Sequence, residues 1–310
     1  MIHNSQRVFF LMGPTASGKT ALAVKLAERF PVEIISVDSA QVYRQMNIGT
    51  AKPETELLSR VPHHLLDVID PSESYSAAHF AASAKALIED CFSRQVIPLL
   101  AGGTMLYFKA LQSGLSDLPN ADPQLRRVLQ QRLMDEGLGC LHAELSRIDP
   151  QSAARIHAND QQRTLRALEV YALTGKPLSA IQGTAIPLAY PVVKCILSPP
   201  REVLHQRIAA RFQQMIQEGL IDEVKKLRAR GDLSLDHPSM RCVGYRQVWQ
   251  YLDGDLDYEA MLERGVIATR QLAKRQLTWL RREHDAHWCE EEDAVDYLSN
   301  QLSSISPSSA

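Results

Sequence analysis

No apolar run in the 310-residue sequence approaches the roughly 20 residues that a membrane span requires, which excludes a bilayer-spanning helix. The N-terminal apolar run, Val8 to Met12, is only five residues long and leads directly into a glycine-rich loop. It reads as a core strand rather than the apolar region of a secretory signal, and a cytoplasmic protein is expected. Cysteine is sparse. Cys91, Cys140, Cys195, Cys242 and Cys289 lie far apart without a Cys-x-x-Cys pair, which argues against a zinc module or a disulfide framework and for reduced thiols. An excess of basic charge is also missing. The net charge is −2, so composition alone does not announce a nucleic-acid ligand. There is no internal repeat. What remains is an ordinary soluble balance, 45% hydrophobic and 23% charged, at a length suited to one core plus an insertion.

Within that balance, Gly13-Pro14-Thr15-Ala16-Ser17-Gly18-Lys19-Thr20 fits the Gly-x-x-x-x-Gly-Lys-Ser/Thr phosphate loop. It follows a short apolar strand and precedes a helical pattern from Ala21 to Phe30, the order such a loop needs. The glycines let backbone N–H groups turn toward phosphate oxygens, and the helix N-terminus adds its positive dipole end. Lys19 supplies a point charge, and Thr20 a hydroxyl for Mg²⁺.

Val32 to Val37 reads as a second buried strand, and Val96 to Ala101 as a third. The second ends in Asp38-Ser39-Ala40-Gln41, which places a carboxylate at the sheet edge that faces the ligand crevice in an open α/β sheet. Asp38 could equally be a turn or capping residue. Gly102-Gly103-Thr104 closes the third strand at the same edge, where Thr104 suits either a site hydroxyl or an N-cap. His63 and His64 have no third ligand at metal-binding spacing and receive no chemistry. After Gly114 the pattern becomes helical, around 124–135, 140–147, 150–157 and 160–174, which suggests an insertion at the active-site edge in the manner of the mobile lids of P-loop kinases. Its last helix sets Arg163 and Arg166 on one face. The sheet resumes with Val192 to Leu197, followed by a helix carrying Arg207 and Arg211 at i, i+4, where two guanidinium groups could meet a departing phosphate or merely face solvent.

Charge is segregated along the chain. Arg264, Arg270, Lys274, Arg275, Arg281 and Arg282 form an acid-free run, whereas five acids fall between Glu290 and Asp296. At helical spacing the basic residues make two stripes, suited to a phosphate backbone or to a solvated face. Just before them, Arg241-Cys242-Val243-Gly244-Tyr245-Arg246 mixes arginines, a glycine and an aromatic, a composition fit to grip backbone phosphate and a base.

The phosphate loop, the Asp38-Ser39-x-Gln41-x-Tyr43 turn, Gly49-Thr50-Ala51-Lys52-Pro53, Ala101-Gly102-Gly103-Thr104, Arg241 to Arg246 and the run Gln271-Leu272-Ala273-Lys274-Arg275-Gln276 occur together in this order. In that combination, over roughly residues 7 to 288, the chain resembles the bacterial tRNA dimethylallyltransferase family. The resemblance implies transfer of a dimethylallyl group from dimethylallyl diphosphate to N6 of adenosine 37, beside the tRNA anticodon, with Mg²⁺ as cofactor and a monomeric enzyme. It further implies a P-loop that holds prenyl diphosphate instead of ATP, which fits the absence of the aspartate-rich motifs of many other prenyltransferases. By resemblance Asp38, Thr104 and Lys19 are catalytic. Gly13 to Thr20, with Arg207 and Arg211, hold the diphosphate. Asp38, Ser39, Ala40, Gln41, Thr104, Arg126, Gln162, Arg163, Thr164, Leu165, Arg166, Arg241, Cys242, Val243, Gly244, Tyr245, Arg246, Lys274 and Arg275 meet the tRNA.

The expected architecture is an α/β fold, a P-loop NTPase-like parallel sheet flanked by helices, with an all-helical insertion. Residues 1–117 and 186–290 form the core, 118–185 the insertion, and 291–310 an acidic, serine-rich, disordered tail. Two rival functions are an ATP-dependent small-molecule kinase, which needs an adenine site and a phosphoryl acceptor, and an RNA-binding nucleotide switch, which needs no base at Asp38.

Overall fold

A computed structural model describes residues 6–114, 118–119, 121–181 and 186–305. The chain forms two compact units, Met1–Leu111 with Ala189–Ala310, and Gln112–Leu188. The first is built on a parallel sheet of β1 (Val8–Met12), β2 (Val32–Val37), β3 (His63–His64), β4 (Ile97–Gly102), β5 (Val192–Leu197) and β6 (His287–Cys289), in the order β3-β2-β4-β1-β5-β6. Helices cover both faces, which is why the central strands are near-continuous apolar runs and every residue of β1 is buried. One exception has its compensation at hand. Lys194 in β5 is 5% exposed, and its ammonium donates to Glu283 at 2.7 Å and Asp285 at 2.9 Å.

Register determines what the sheet presents. Val37 pairs with Gly102, Gly102 with Met12, and Met12 with Ile196, so four strands end nearly in one row. The residues that follow, Asp38, Gly103 and Gly13, therefore leave the sheet side by side.

The second unit consists, among its described residues, of helices alone: Pro123–Glu136, Leu138–Ile148, Pro150–Arg155, Gln161–Thr174 and Leu178–Ile181. They close on Leu129, Leu141, Leu145, Ala167, Leu168 and Val170. Asp122, Asp149 and Asp160 cap three of them by accepting backbone N–H groups of the first turn.

The expectation of a disordered tail is overturned. Glu291–Ser303 is a helix whose Ala294, Leu298 and Leu302, one turn apart, are buried in the sheet's core, and β6 just before it pairs with β5. The acids that suggested a solvated tail occupy the first turn of that helix, where they complement its dipole. The last residues of the expected tail, 306–310, lie outside the described residues.

Candidate active site

The row of strand ends opens into a cavity of about 810 Å³. The P-loop from Thr15 to Thr20 lines it, as do Asp38 to Gln41, Gly103, Thr104, Arg211 and one face of the helix Tyr258–Leu280. The Lys19 ammonium donates to the Pro14 carbonyl at 2.6 Å and to Ser17 Oγ at 3.2 Å, lying back along its own loop. Burial pushes its pKa down to about 7, against the Asp38 carboxylate, which raises it, and with Arg211, which lowers it further. A diphosphate in the loop would restore the charge.

Asp38 combines both readings open to it. Its Oδ1 accepts the Ala40 N–H at 2.8 Å and, more weakly, that of Gln41 at 3.4 Å, an aspartate-stabilised turn, while the same side chain lines the cavity. Oδ2 takes no part in that turn. Thr104 Oγ1 accepts the Ser39 N–H at 3.0 Å, so the hydroxyl that follows β4 steadies the turn that follows β2. Gln41 continues outward, donating to the carbonyls of Thr50 and Ala51 at 3.2 Å.

Arg207 and Arg211 both line a second cavity that passes Ala16 and Gly18 of the loop, and of the two only Arg211 also reaches the first. Arg211 lines the cavity, and its burial lowers its pKa against the pull of Asp38. Arg207 lies on the outer side of the loop, donating to the Ser17 carbonyl at 3.4 Å and facing Glu291 at 3.7 Å. Thr20, the second residue of the helix Lys19–Ala27, is exposed and lines the cavity. Mg²⁺ prefers oxygen ligands and keeps part of its water, so a hydroxyl beside a diphosphate site suits it. Among the described residues no cluster of three or more His, Cys, Asp or Glu side chains offers a protein cage instead.

Of the residues expected to meet RNA, Ser39, Ala40, Gln41, Arg241, Cys242, Val243 and Arg275 line the cavity. Burial, with the Asp38 charge adding to it, raises the Cys242 thiol to about 12, so it stays neutral. Arg246 and Lys274 are exposed. Tyr245 is not available: it is fully buried and donates its hydroxyl to Glu223. Gly244 before it is also buried. In the helical unit Gln162 and Arg163 are exposed and Arg163 pairs with Asp160, but Thr164 is fully buried and Leu165 packs into the core. Arg126 and Arg166 both hold Glu169, which is 1% exposed, at 2.9 and 2.6 Å. Burial would raise the Glu169 pKa, yet the bonds from Arg166 and Arg126 outweigh it and the net shift is downward.

Two further residues give little sign of themselves in the sequence. Gln276 accepts the Thr15 N–H at 2.8 Å and donates to the Gly103 carbonyl at 3.0 Å. Its signals are its place at the end of the Gln271-to-Gln276 run and a periodicity: Thr269, Leu272, Gln276 and Trp279, spaced three, four and three apart, share the helix face that lines the cavity. Glu223 accepts the backbone N–H groups of Asn47, Ile48 and Gly49 and so holds the Gly49-Thr50-Ala51-Lys52-Pro53 loop.

A parallel sheet whose phosphate loop faces a carboxylate and a hydroxyl across one cavity places the chain among P-loop α/β proteins. The family described as IPP transferase matches residues 41–283, and that described as isopentenyl transferase matches residues 6–71. A tRNA dimethylallyltransferase of Alkalilimnicola ehrlichii is 57% identical over 298 residues, 95% of this chain and 94% of that one. The crystal structure of a tRNA isopentenylpyrophosphate transferase from Bacillus halodurans, 39% identical, superposes with a TM-score of 0.70 over 97% of this chain and 98% of that one. A eukaryotic dimethylallyltransferase acting on tRNA, 27% identical, reaches 0.80 over 98% of this chain and 81% of the other. The chain belongs to the IPP transferase family of prenyltransferases.

Proposed function

We propose that this protein prenylates tRNA, transferring the dimethylallyl group of dimethylallyl diphosphate to N6 of adenosine 37 and releasing diphosphate. The observation that carries the reading is the meeting of the P-loop, Asp38 and Thr104 at one row of strand ends, in a chain 57% identical to a tRNA dimethylallyltransferase. The adenine amine is a weak nucleophile because its lone pair is delocalised into the ring. Removing its proton as the C–N bond forms lowers the barrier, and Asp38, with Oδ2 left over from the turn, is the base within the cavity. Thr104 orients that turn. Charge that grows on the leaving diphosphate is met by the P-loop N–H groups, Lys19 and Arg211. Thr20 would hold Mg²⁺, which would supply further neutralisation of the leaving diphosphate. Since N6 of a stacked loop base is hard to reach, the nucleotide is flipped into the cavity, with Arg241, Arg275 and the exposed basic helix holding the RNA around it. The proposed enzyme acts as a monomer, as the family resemblance implies.

A small-molecule kinase finds no support, since each relative described above is named a tRNA transferase. Localisation in the cytoplasm follows from the proposed substrate, and no helix among the described residues is long and apolar enough to cross a membrane. The test incubates the protein and Mg²⁺ with tRNA bearing adenosine 37 and either dimethylallyl diphosphate or ATP, then weighs the tRNA. A gain of one dimethylallyl group in the first mixture and none in the second is expected. No gain in the first would overturn the assignment.

A further inference from the structure

Gln276 is the one side chain on the basic helix Tyr258–Leu280 whose hydrogen bonds, among the described residues, reach both the phosphate loop and the Gly103-Thr104 turn. Its Oε1 accepts the Thr15 N–H at 2.8 Å and its Nε2 donates to the Gly103 carbonyl at 3.0 Å. The fit leaves no room: a Cβ on Gly103 would stand 2.4 Å from Nε2, so that position admits only glycine while the amide is in place. Beyond Gly103, Thr104 accepts from Ser39 in the Asp38 turn. Hydrogen bonds on either side of the Gly103-Thr104 backbone therefore link the phosphate loop, through Gln276, to the carboxylate turn. This link is anchored on a helix on which the nearby Lys274 and Arg275 are exposed.

We infer that Gln276 is a positioning residue that couples the two substrate sites, so that RNA held by the basic helix tightens the diphosphate loop, and diphosphate in the loop tightens RNA by the same factor. The inference rests on the functional reading above. The physical basis is reciprocity: any contact that holds the helix and the loop in one shared arrangement makes each ligand pay part of the other's ordering, and linkage then requires equal factors in both directions. Thr15 carries its N–H at the rim of the phosphate site and Gln276 fixes where that rim lies, so the helix cannot shift without disturbing the loop. The Gln276 amide contributes no charge, which separates its role from that of Lys274 or Arg275.

The experiment measures binding of an anticodon stem-loop RNA with adenosine 37, with and without a saturating analogue of dimethylallyl diphosphate whose bridging oxygen is replaced by sulfur to block transfer. In the parent protein the analogue is expected to tighten RNA binding by about 5-fold or more, the lower range of ordinary coupling. Gln276→Met keeps the volume and loses both bonds, and should bring that ratio to within about 2-fold of one while the analogue alone still binds. A ratio unchanged from the parent would overturn the inference, as would a parent protein that binds both ligands with no coupling. If Gln276→Met melts well below the parent, Gln276→Asn decides: it retains an amide but draws it back by one methylene, too short to span both partners, and must lose the coupling equally. A parent protein that binds neither ligand would overturn the functional reading, and the coupling with it, a result distinct from intact binding without coupling.

Discussion

Tyr245 donates its buried hydroxyl to Glu223, and the same carboxylate accepts the backbone N–H groups of Asn47 and Ile48 at 2.9 Å and of Gly49 at 3.2 Å. The aromatic ring closes the arrangement from the other side, where a Cβ on Gly49 would lie 2.5 Å from it. Removing the carboxylate strands three donors and a phenol at once. Glu223→Ala should therefore cost about 2–4 kcal/mol, since each buried group left unpaired costs roughly 1–3 kcal/mol and some would find water. Urea unfolding measures this, and a loss below 1 kcal/mol would show that the loop holds without Glu223.

Lys19 provides a pH signature. Burial lowers its pKa to about 7, so the ammonium is largely neutral above that value, and an anionic ligand raises the pKa. Binding of prenyl diphosphate near pH 8, where the ligand itself is ionised, should thus take up close to one proton per site through Lys19. Calorimetry in buffers of different ionisation enthalpy reads the number directly. Lys19→Ala should bind diphosphate without that uptake and lose turnover at saturating substrate, with its melting temperature little changed.

Asp38→Asn separates the two roles of that residue. An asparagine Oδ1 still accepts from Ala40 and Gln41, so the turn persists, but the base is gone. The single-turnover rate of prenylation should fall by roughly 10²–10⁴-fold with both substrates bound and the melt unchanged. A rate within a few-fold of the parent would pass the proton to Thr104 or to water.

The RNA grip should respond to salt. Arg275 reaches the cavity, whereas Lys274, Arg281 and Arg282 are exposed outside it, so those three are the better probes of the RNA backbone. Replacing all three by glutamine should flatten the dependence of log affinity for tRNA on log salt by about 1–3, up to roughly 0.9 for each phosphate no longer neutralised, and leave prenyl diphosphate binding unaltered. An unchanged slope would make this helix face a solvated one.

On the far side of the sheet, Glu33 in β2 takes two bonds from Arg94, at 2.5 and 2.7 Å, and one from His64 at 2.7 Å. The Arg94 bonds, with smaller help from His64, hold its pKa down to about 2 despite burial. A depressed carboxylate adds stability that is complete above its unfolded value near 4.5 and is lost as pH falls toward 2. Glu33→Gln should therefore lower the urea midpoint at pH 7 more than at pH 3, and an equal drop at both would assign the loss to packing.

Much of this architecture is legible in the amino-acid sequence. The strands β1, β2 and β5 fall where their apolar runs begin and end, β4 is displaced by one residue, and the insertion's helices follow their apolar spacing, because burial on both faces writes itself into composition. The P-loop is legible because phosphate binding demands glycines, Lys19 and Thr20 at fixed spacing. What is hidden has a common physical reason. Tyr245 sits among arginines in the chain and so looks like an RNA contact, yet its partner Glu223 and the backbone it closes on at Gly49 are distant in sequence. Gln276 carries neither charge nor strand-end position, so its place in the Gln271-to-Gln276 run and its share of a helix face hint at the cavity without giving its partners. The helix Glu291–Ser303 is masked by the acids of its first turn and by its serines, while Ala294, Leu298 and Leu302, with Val295 and Tyr297 beside them, do its packing.

The shared ending of β2, β4 and β1 has a consequence for how the site could fail. Successive residues in a strand point to opposite faces and advance by about 3.3 Å, so a slip of β4 by a single place would carry Thr104 out of reach of Ser39 and present Gly103 to the wrong neighbours. No residue would have been replaced and little apolar area exposed, yet the base, the hydroxyl and the phosphate loop would no longer share a cavity. Alignment across strands is thus as much a part of the site as the identity of its residues, and a chain misfolded in that one respect would be inert.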